Sequence, residues 1–479
     1  MFAFIYGLVA QLAFEPVGIW LFFPIAIALI IKRIHKKSFR SRTIDGFIFS
    51  LGFTLPLLHW SSTYVGVWPW LILGIGQALL IAPFAWVSNQ RGLVLLITMP
   101  SVWLVLEWFR SNYPFGGFGW GRAGFVAVDS PFSQMLSLGG VPLASFTVVL
   151  IGVVIYLSFI KFDFRYFPLL LIVVANIFIP NNTSVGNSSI KFAAIQGSVP
   201  DLGLDFNSQR MAVLNNHLQL TRNWKTQANR PANFEPDLFI WPENASDVNP
   251  LTEAKEQIER LVNFLEKPLI VGGVGNNNFR PTNLSILWEP RENGSGVSSI
   301  YQKRELAPFG EFMPLRPLAE FISPLARNVT DFEPGKKSQI FSVGKAKIIP
   351  VICFEILSDD LLRNNIDNSN LVIAQTNNAT FGESAESDQQ LQITRARAIE
   401  SGREIVVVST VGNTALIDLS GKVEQILPKY AAGILYGEAN LASVNTPARW
   451  LTPLVEQGCF AVIVILLLSV LKRRYFRVP

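Results

Sequence analysis

Cys353 stands in the apolar run PVICFEIL (350–357), with Glu355 two residues beyond it. A thiol at its ordinary pKa is mostly protonated at neutral pH, so a nucleophilic cysteine needs a base or a nearby cation to become a thiolate. Two residues that close other apolar runs could supply these. Glu243 ends FIWPE, where Pro242 interrupts strand pairing and turns the chain outward, and Lys303 ends IYQK. Glu243 can take the thiol proton, while Lys303 can favour the thiolate and stabilise the oxyanion of a tetrahedral intermediate. Histidine does not fill either role: His35, His59 and His217 are the only three, and none lies in a motif-like setting. That argues against a Cys–His enzyme, a zinc site or another metal centre, and no cofactor is expected. Taken singly, the three residues also fit a solvated strand-end carboxylate, a surface lysine and a core thiol. Together they form a base, a cation and a nucleophile.

The elements that must position them lie between 181 and 455. After the polar linker PNNTSVGNSS, strand-like runs occur at 190–197, 237–243, 268–275, 283–289, 298–303, 347–356, 370–377, 403–410 and 414–420. Helix-like segments at 206–227, 251–266 and 385–402 are interleaved with them. Runs such as VICFEI and LVIAQT are apolar on both faces, as in covered sheets, so an α/β domain is predicted with its chemistry at strand ends. If the strand through 347–356 stays regular, alternation puts Cys353 and Glu355 on one face, both reaching the pocket. The rival reading of Glu355 is a structural ion-pair partner.

Composition places part of the chain in a membrane: 50% of its 479 residues are hydrophobic and its mean hydropathy is +0.34. Apolar segments at 44–60, 69–88, 92–109, 143–160 and 456–471, a shorter one at 167–180, and a close pair at 2–14 and 17–31 give about eight spans. A cleaved signal peptide at 2–14 is disfavoured, because no basic stretch precedes it and no small-residue cleavage site follows. On this count the cytoplasmic loops carry Lys32, Arg33, Lys36, Lys37, Arg40, Arg42, Arg91, Lys161 and Arg165, and the C-terminal tail adds Lys472, Arg473, Arg474 and Arg477. The opposite short loops hold only Arg110 and Arg122. The asymmetry puts both termini in the cytoplasm and residues 181–455 outside it. Without those thirteen basic residues and the neighbouring Asp45 and Asp163, 27 Lys+Arg face 33 Asp+Glu, a balance unsuited to nucleic acid. Two cysteines make no disulfide framework, and Cys459 reads as a packing residue of the last span.

At this point the residues amount to a resemblance. FIWPENA around Glu243, YQKRELAPFGEFMP from Tyr301 to Pro314, and VICFE around Cys353 are similar to the three catalytic motifs of the nitrilase, or carbon–nitrogen hydrolase, superfamily. With spans before these motifs and one after, nearly the whole chain resembles the apolipoprotein N-acyltransferase family. The resemblance implies a transmembrane helical bundle at 1–180 and an αββα sandwich at 181–455 on the periplasmic face of the bacterial inner membrane. A last helix and basic tail would occupy 456–479. It also implies a ping-pong reaction, in which Cys353 takes an acyl chain from a phospholipid and hands it to the free α-amine of a lipoprotein's diacylglyceryl-cysteine. Glu243 would be the general base and Lys303 the oxyanion stabiliser. Glu311 matches a second essential glutamate, and Glu355 the carboxylate two past the nucleophile. Phe354 stands where the family frequently has Tyr, and Asn377-Asn378-Ala379-Thr380-Phe381-Gly382 stands where it often has Asn-Asp-x-Trp-Phe-Gly. Phe354 and Phe381 are therefore expected to help position substrate.

The physics favours a lipid substrate independently. An acyltransferase must admit a fatty chain from the bilayer and keep water off the thioester until the amine arrives, whereas a soluble amidase gains nothing from eight spans. The Gly- and aromatic-rich loop 110–142 is expected to lie in the interface as a wall or gateway for acyl chains, or simply as an aromatic belt. Residues 313–334 read either as a mobile amphipathic arm over the membrane or as a structural connection. The rivals are a membrane-anchored amidase or nitrilase, and a non-catalytic scaffold or transporter. The last would need ionisable groups within its spans, which hold few.

Overall fold

The computed structural model describes residues 1–64, 66–169, 185–203, 209–277, 280–322, 326–327 and 329–475. The chain forms two compact units, one of residues 1–62, 67–182 and 446–479, the other of 63–66 and 183–445.

The first unit is helical. Its helices are α1 (Phe2–Gln11), α2 (Phe22–Ile34), α3 (Phe39–Leu57), α4 (Val67–Ile81), α5 (Gly92–Asn112), α6 (Gln134–Ile155) and a final helix, Ala448–Tyr475. Among the described residues, four helical stretches are long and apolar enough to cross a membrane: Val67–Val87, Gly92–Asn112, Gln134–Ile160 and Ala448–Lys472. Eight spans were expected. The segment at 167–180 lies outside the described residues from 170 onward. The pair at 2–14 and 17–31 forms helices of 10 and 13 residues. The helix at 39–57 carries Arg40 and Arg42 in its first turn, and its Asp45 is held by Arg33 and Lys37. The final helix starts at Ala448 rather than 456, and α6 at Gln134 rather than 143, with a break at Gly139–Gly140.

Two expectations for this unit are corrected. Arg110 lies in α5 rather than in a loop, while Arg122 stands in the loop where it was expected, and both are buried. Arg110 belongs to α5 and donates to the carbonyls of Phe118 and Trp120 and to Gln77 Oε1. Glu107, inside the same helix, accepts from Trp103 Nε1 and the Ala123 amide, so this span holds a paired buried charge. These bonds draw the Gly- and aromatic-rich loop inward. Residues 119–128 are buried, and only 112–116 stand out among its first residues, so most of the loop is core rather than a surface wall.

The second unit holds two six-stranded sheets. The first contains β1 (Val185–Gln196), β2 (Leu238–Ile240), β3 (Leu269–Asn277), β4 (Arg280–Arg291), β5 (Gly294–Gln302) and β12 (Gly433–Ala442), in the order β12-β1-β2-β3-β4-β5. The second runs from β6 (Phe341–Val343) through β7 (Ala346–Ile352), β8 (Leu371–Thr376), β9 (Ile405–Ser409) and β10 (Ala415–Ile417) to β11 (Val423–Ile426). Alternation assigns the faces. Leu238 and Ile240 join Ile348, Ile352, Leu371 and Ile373 in the core between the sheets. Phe239 and Trp241 point the other way, into a second core with α7 (Ala212–Arg222) and α8 (Lys255–Leu265). On the second sheet, Thr376 faces outward and bonds Gln390 of α11 (Glu386–Ser401), which follows the short α9 (Arg316–Ile322) and α10 (Asp359–Arg363). The result is the expected helix–sheet–sheet–helix arrangement. β6, β11 and β12 were not read from the sequence, and the helix expected at 206–227 is described only as α7, residues 204–208 lying outside the described set.

Candidate active site

In each sheet the strands that matter run parallel: β1 with β2 and β2 with β3 in the first, β7 with β8 and β8 with β9 in the second. β5 points the same way as β3, because both are antiparallel to β4. Glu243, Lys303 and Cys353 follow the carboxyl ends of β2, β5 and β7, where open α/β sheets leave their crevices. Glu243 and Lys303 thus stand past strand ends as read, and Cys353, read inside a strand at 347–356, instead lies just past the end of one.

Lys303 is almost wholly buried, and its ammonium lies between two carboxylates, 2.9 Å from Glu311 and 3.4 Å from Glu243 Oε1. Asn283, in mid-β4, ties those carboxylates together by donating from Nδ2 to Glu243 Oε1 at 2.7 Å and Glu311 Oε1 at 2.9 Å. The Asn377 amide donates to Glu243 Oε2 at 2.9 Å, and the Ala307 amide to Glu311 Oε2 at 2.8 Å. Glu243 itself sits on a corner with no room to spare: a Cβ on Gly272 would meet the Pro242 carbonyl at 2.1 Å. Only glycine lets β3 approach so closely.

Burial raises the Glu243 pKa, Lys303 opposes that rise, and Glu311 adds to it; the net direction is upward. Burial works against the Lys303 charge, but Glu311, Glu243 and Cys353 outweigh it and hold the ammonium above the usual lysine range. Burial pushes the Cys353 thiol up, Glu243 pushes it further, and Lys303 pulls it down. A carboxylate lifted toward neutrality beside a thiol is suited to proton transfer, and the locked lysine to holding an adjacent negative charge.

The alternation argument for Cys353 and Glu355 fails. β7 stops at Ile352, Cys353 takes a left-handed backbone conformation (φ 50°), and residues 353–357 form a 3₁₀ turn. Such a conformation strains a non-glycine residue by about 1–2 kcal/mol and redirects the side chain. Glu355 is fully buried and serves as an anchor. Its Oε1 accepts from Tyr301 Oη and from the amides of Arg304 and Glu305, and its Oε2 accepts from the Ile352 amide. It thus fastens the residues just after Lys303 to the residue just before Cys353. Burial, opposed by these donors, raises its pKa to about 7. From α11, Arg397 donates to the Ile356 and Leu357 carbonyls and pairs with Asp359 and Glu400, gripping the same turn.

Phe354 and Phe381 are half-buried on short 3₁₀ turns. Of the arm expected at 313–334, Arg316–Ile322 is helical, with Arg316 held by Glu320 and Asp331, while Leu318 and Phe321 are exposed; residues 323–325 and 328 lie outside the described set. Among the described residues, no group of three His, Cys, Asp or Glu could hold a metal ion. Asn283, Gln390 and Glu386 were missed, since Asn283 lies mid-strand and the other two on a helix.

Residues 192–448 match the carbon–nitrogen hydrolase family, consistent with two covered sheets and a Glu–Lys–Cys cluster at strand ends. Residues 6–154 match the apolipoprotein N-acyltransferase N-terminal domain. Apolipoprotein N-acyltransferase of Mycolicibacterium smegmatis is 31% identical over 98% of this chain and 85% of its own length. That of Photobacterium profundum is 25% identical over 94% and 90%. The chain belongs to the apolipoprotein N-acyltransferase family. Among solved structures, an amidase from Nesterenkonia sp. covers 54% of this chain and 92% of its own at 16% identity, with a TM-score of 0.37.

Proposed function

We propose that this chain N-acylates lipoproteins, moving a fatty acyl group from a phospholipid to the free α-amine of an N-terminal diacylglyceryl-cysteine. One observation carries the reading: a buried lysine and a buried glutamate flank the only cysteine of the α/β unit, in a chain similar over almost its whole length to apolipoprotein N-acyltransferases. Glu243 removes the Cys353 proton as sulfur attacks the ester carbonyl, and Lys303 offsets the charge on the resulting oxyanion. Collapse breaks the ester C–O bond, the proton passes from Glu243 to the departing lysophospholipid oxygen, and a thioester remains. The amine then attacks, Glu243 takes its proton, and the thiolate leaves and is reprotonated as the amide forms. Glu311 fixes the Lys303 ammonium, Glu355 sets the two catalytic loops, and Phe354 and Phe381 flank substrate.

The span count of about eight, with both termini cytoplasmic and the α/β unit periplasmic, belongs to the same reading and is supported by the lysine and arginine asymmetry. The test separates transfer from hydrolysis. Protein in detergent is charged with phospholipid, freed of excess donor, and given a diacylated lipopeptide with a free or an acetylated amine. Formation of triacylated peptide only with the free amine supports acyltransfer; release of free fatty acid at the same rate in every arm would make the protein a hydrolase.

A further inference from the structure

A polar chain behind the nucleophile takes no part in the Glu–Lys–Cys arrangement. It begins at the Gly412 amide, which donates to Ser409 Oγ at 2.8 Å, and the Ser409 hydroxyl in turn donates to Asn378 Oδ1 at 2.6 Å. With Oδ1 committed as acceptor, Asn378 Nδ2 faces Glu386 Oε2 at 2.7 Å and Gln390 Oε1 at 3.1 Å. Thr376 Oγ1 also donates to Gln390 Oε1, at 2.9 Å. Gln390 Oε1 therefore has two donors, and its Nε2 is left to face Cys353 Sγ at 3.8 Å, within reach of a sulfur acceptor. Together these bonds form one consistent run of donors and acceptors from the Gly412 N–H to Gln390 Nε2. The members are buried, and a Cβ on Gly412 would meet Asn378 Oδ1 at 2.2 Å, so the chain admits no looser packing at its origin.

We infer that Gln390 is a hydrogen-bond donor to the Cys353 sulfur anion, held in donor orientation by the Gly412–Ser409–Asn378 chain. The inference rests on the reading of Cys353 as the acyl-carrying nucleophile and adds to it a second stabiliser of the thiolate beside Lys303. A hydrogen bond to the charged form favours that form. The charged and titratable groups that act on the sulfur are Glu243, Lys303, Glu311 and, from α11 itself, Glu386. Three of these four are carboxyl groups that oppose a thiolate when ionised, so a neutral donor on the α11 side stabilises sulfur without adding charge. Asn378 stands where the family often has aspartate. An ionised carboxylate there could not donate to Gln390 Oε1, so the asparagine is what fixes the Gln390 amide.

The test is the pH dependence of Cys353 alkylation by iodoacetamide, read by intact mass in the full-length protein with Cys459→Ser removing the other thiol. In Gln390→Leu the rate–pH profile should move up by about one unit, making alkylation roughly tenfold slower near neutrality. Gln390→Glu keeps the side-chain shape, replaces the donor with an acceptor, and should move the profile at least as far. Asn378→Leu should give a smaller shift of the same sign by freeing the Gln390 amide to turn. Superimposable profiles for wild type and both Gln390 variants, in protein with unchanged melting temperature, would overturn the inference. Acyl-adduct formation by Cys353→Ala, measured in parallel, would instead overturn the nucleophile assignment.

Discussion

Removing the Glu355 carboxylate should disable the protein through its fold rather than through direct loss of chemistry. Its two oxygens accept four donors: Tyr301 Oη and Arg304 N at 2.7 Å, Glu305 N at 3.2 Å and Ile352 N at 2.9 Å. A buried donor left without an acceptor costs about 1–3 kcal/mol. Glu355→Ala orphans all four; allowing for loop relaxation and the relief of burying a carboxyl, the net loss is about 4 kcal/mol, a large part of the ~5–15 kcal/mol that stabilises a domain. Glu355→Gln keeps the three donors on Oε1 but sets an NH₂ against the Ile352 amide, for about 1–3 kcal/mol. Thermal unfolding in detergent, followed by tryptophan fluorescence, should rank wild type above glutamine above alanine. Thioester formation should fall in the same order, because the loops bearing Lys303 and Cys353 lose their common anchor. An alanine variant with wild-type melting temperature and acylation rate would refute the anchoring argument.

Three further outcomes follow from the same geometry. Burial raises the Glu355 pKa from 4.5 to about 7, so between these values the folded chain holds a proton that the unfolded chain has released, and stability should fall as pH rises through that window. Glu386, raised to about 8, contributes with the same sign, and unfolding of Glu355→Gln across pH 4–8 should show a shallower decline. Asn283→Leu removes the donor shared by Glu243 and Glu311 and should slow thioester formation by roughly a hundredfold, with a smaller effect on melting temperature. Arg397→Lys cannot reach two carbonyls and two carboxylates at once and should destabilise the α/β unit by about 2–4 kcal/mol, read as a lowered unfolding midpoint.

The candidate trio was legible because Glu243 and Lys303 each close an apolar run and Cys353 stands inside a third, and runs that are apolar on both faces are a strong signature of covered strands. The sequence concealed the turn at Cys353. CFEIL continues the apolar pattern of β7 without a glycine or proline, so nothing local announces the left-handed residue that ends the strand and sends Glu355 into its anchoring bonds. Asn283 was hidden by its setting in NLSILWE, where a polar residue in a strand reads as solvent-facing. α11 misled in the opposite way: it is buried nearly all round, so Glu386 and Gln390 lie on no exposed polar face. β12 escaped notice because GILYGEANLA opens on one glycine and is broken by another, Gly437, and only its pairing with β1 makes it a strand. The buried Glu107 and Arg110 were obscured by hydropathy averaging, which sees a span but not the bonds its polar side chains make.

The most direct test of the central claim is to locate the acyl group. Protein incubated with a phospholipid carrying a labelled fatty acyl chain is quenched in acid, digested and mapped by mass spectrometry, alongside Glu243→Gln and Cys353→Ala. The account predicts a hydroxylamine-labile acyl group on the peptide containing Cys353, reduced at least a hundredfold in Glu243→Gln and absent in Cys353→Ala. A label on any other residue, or one that persists in Cys353→Ala, would contradict it.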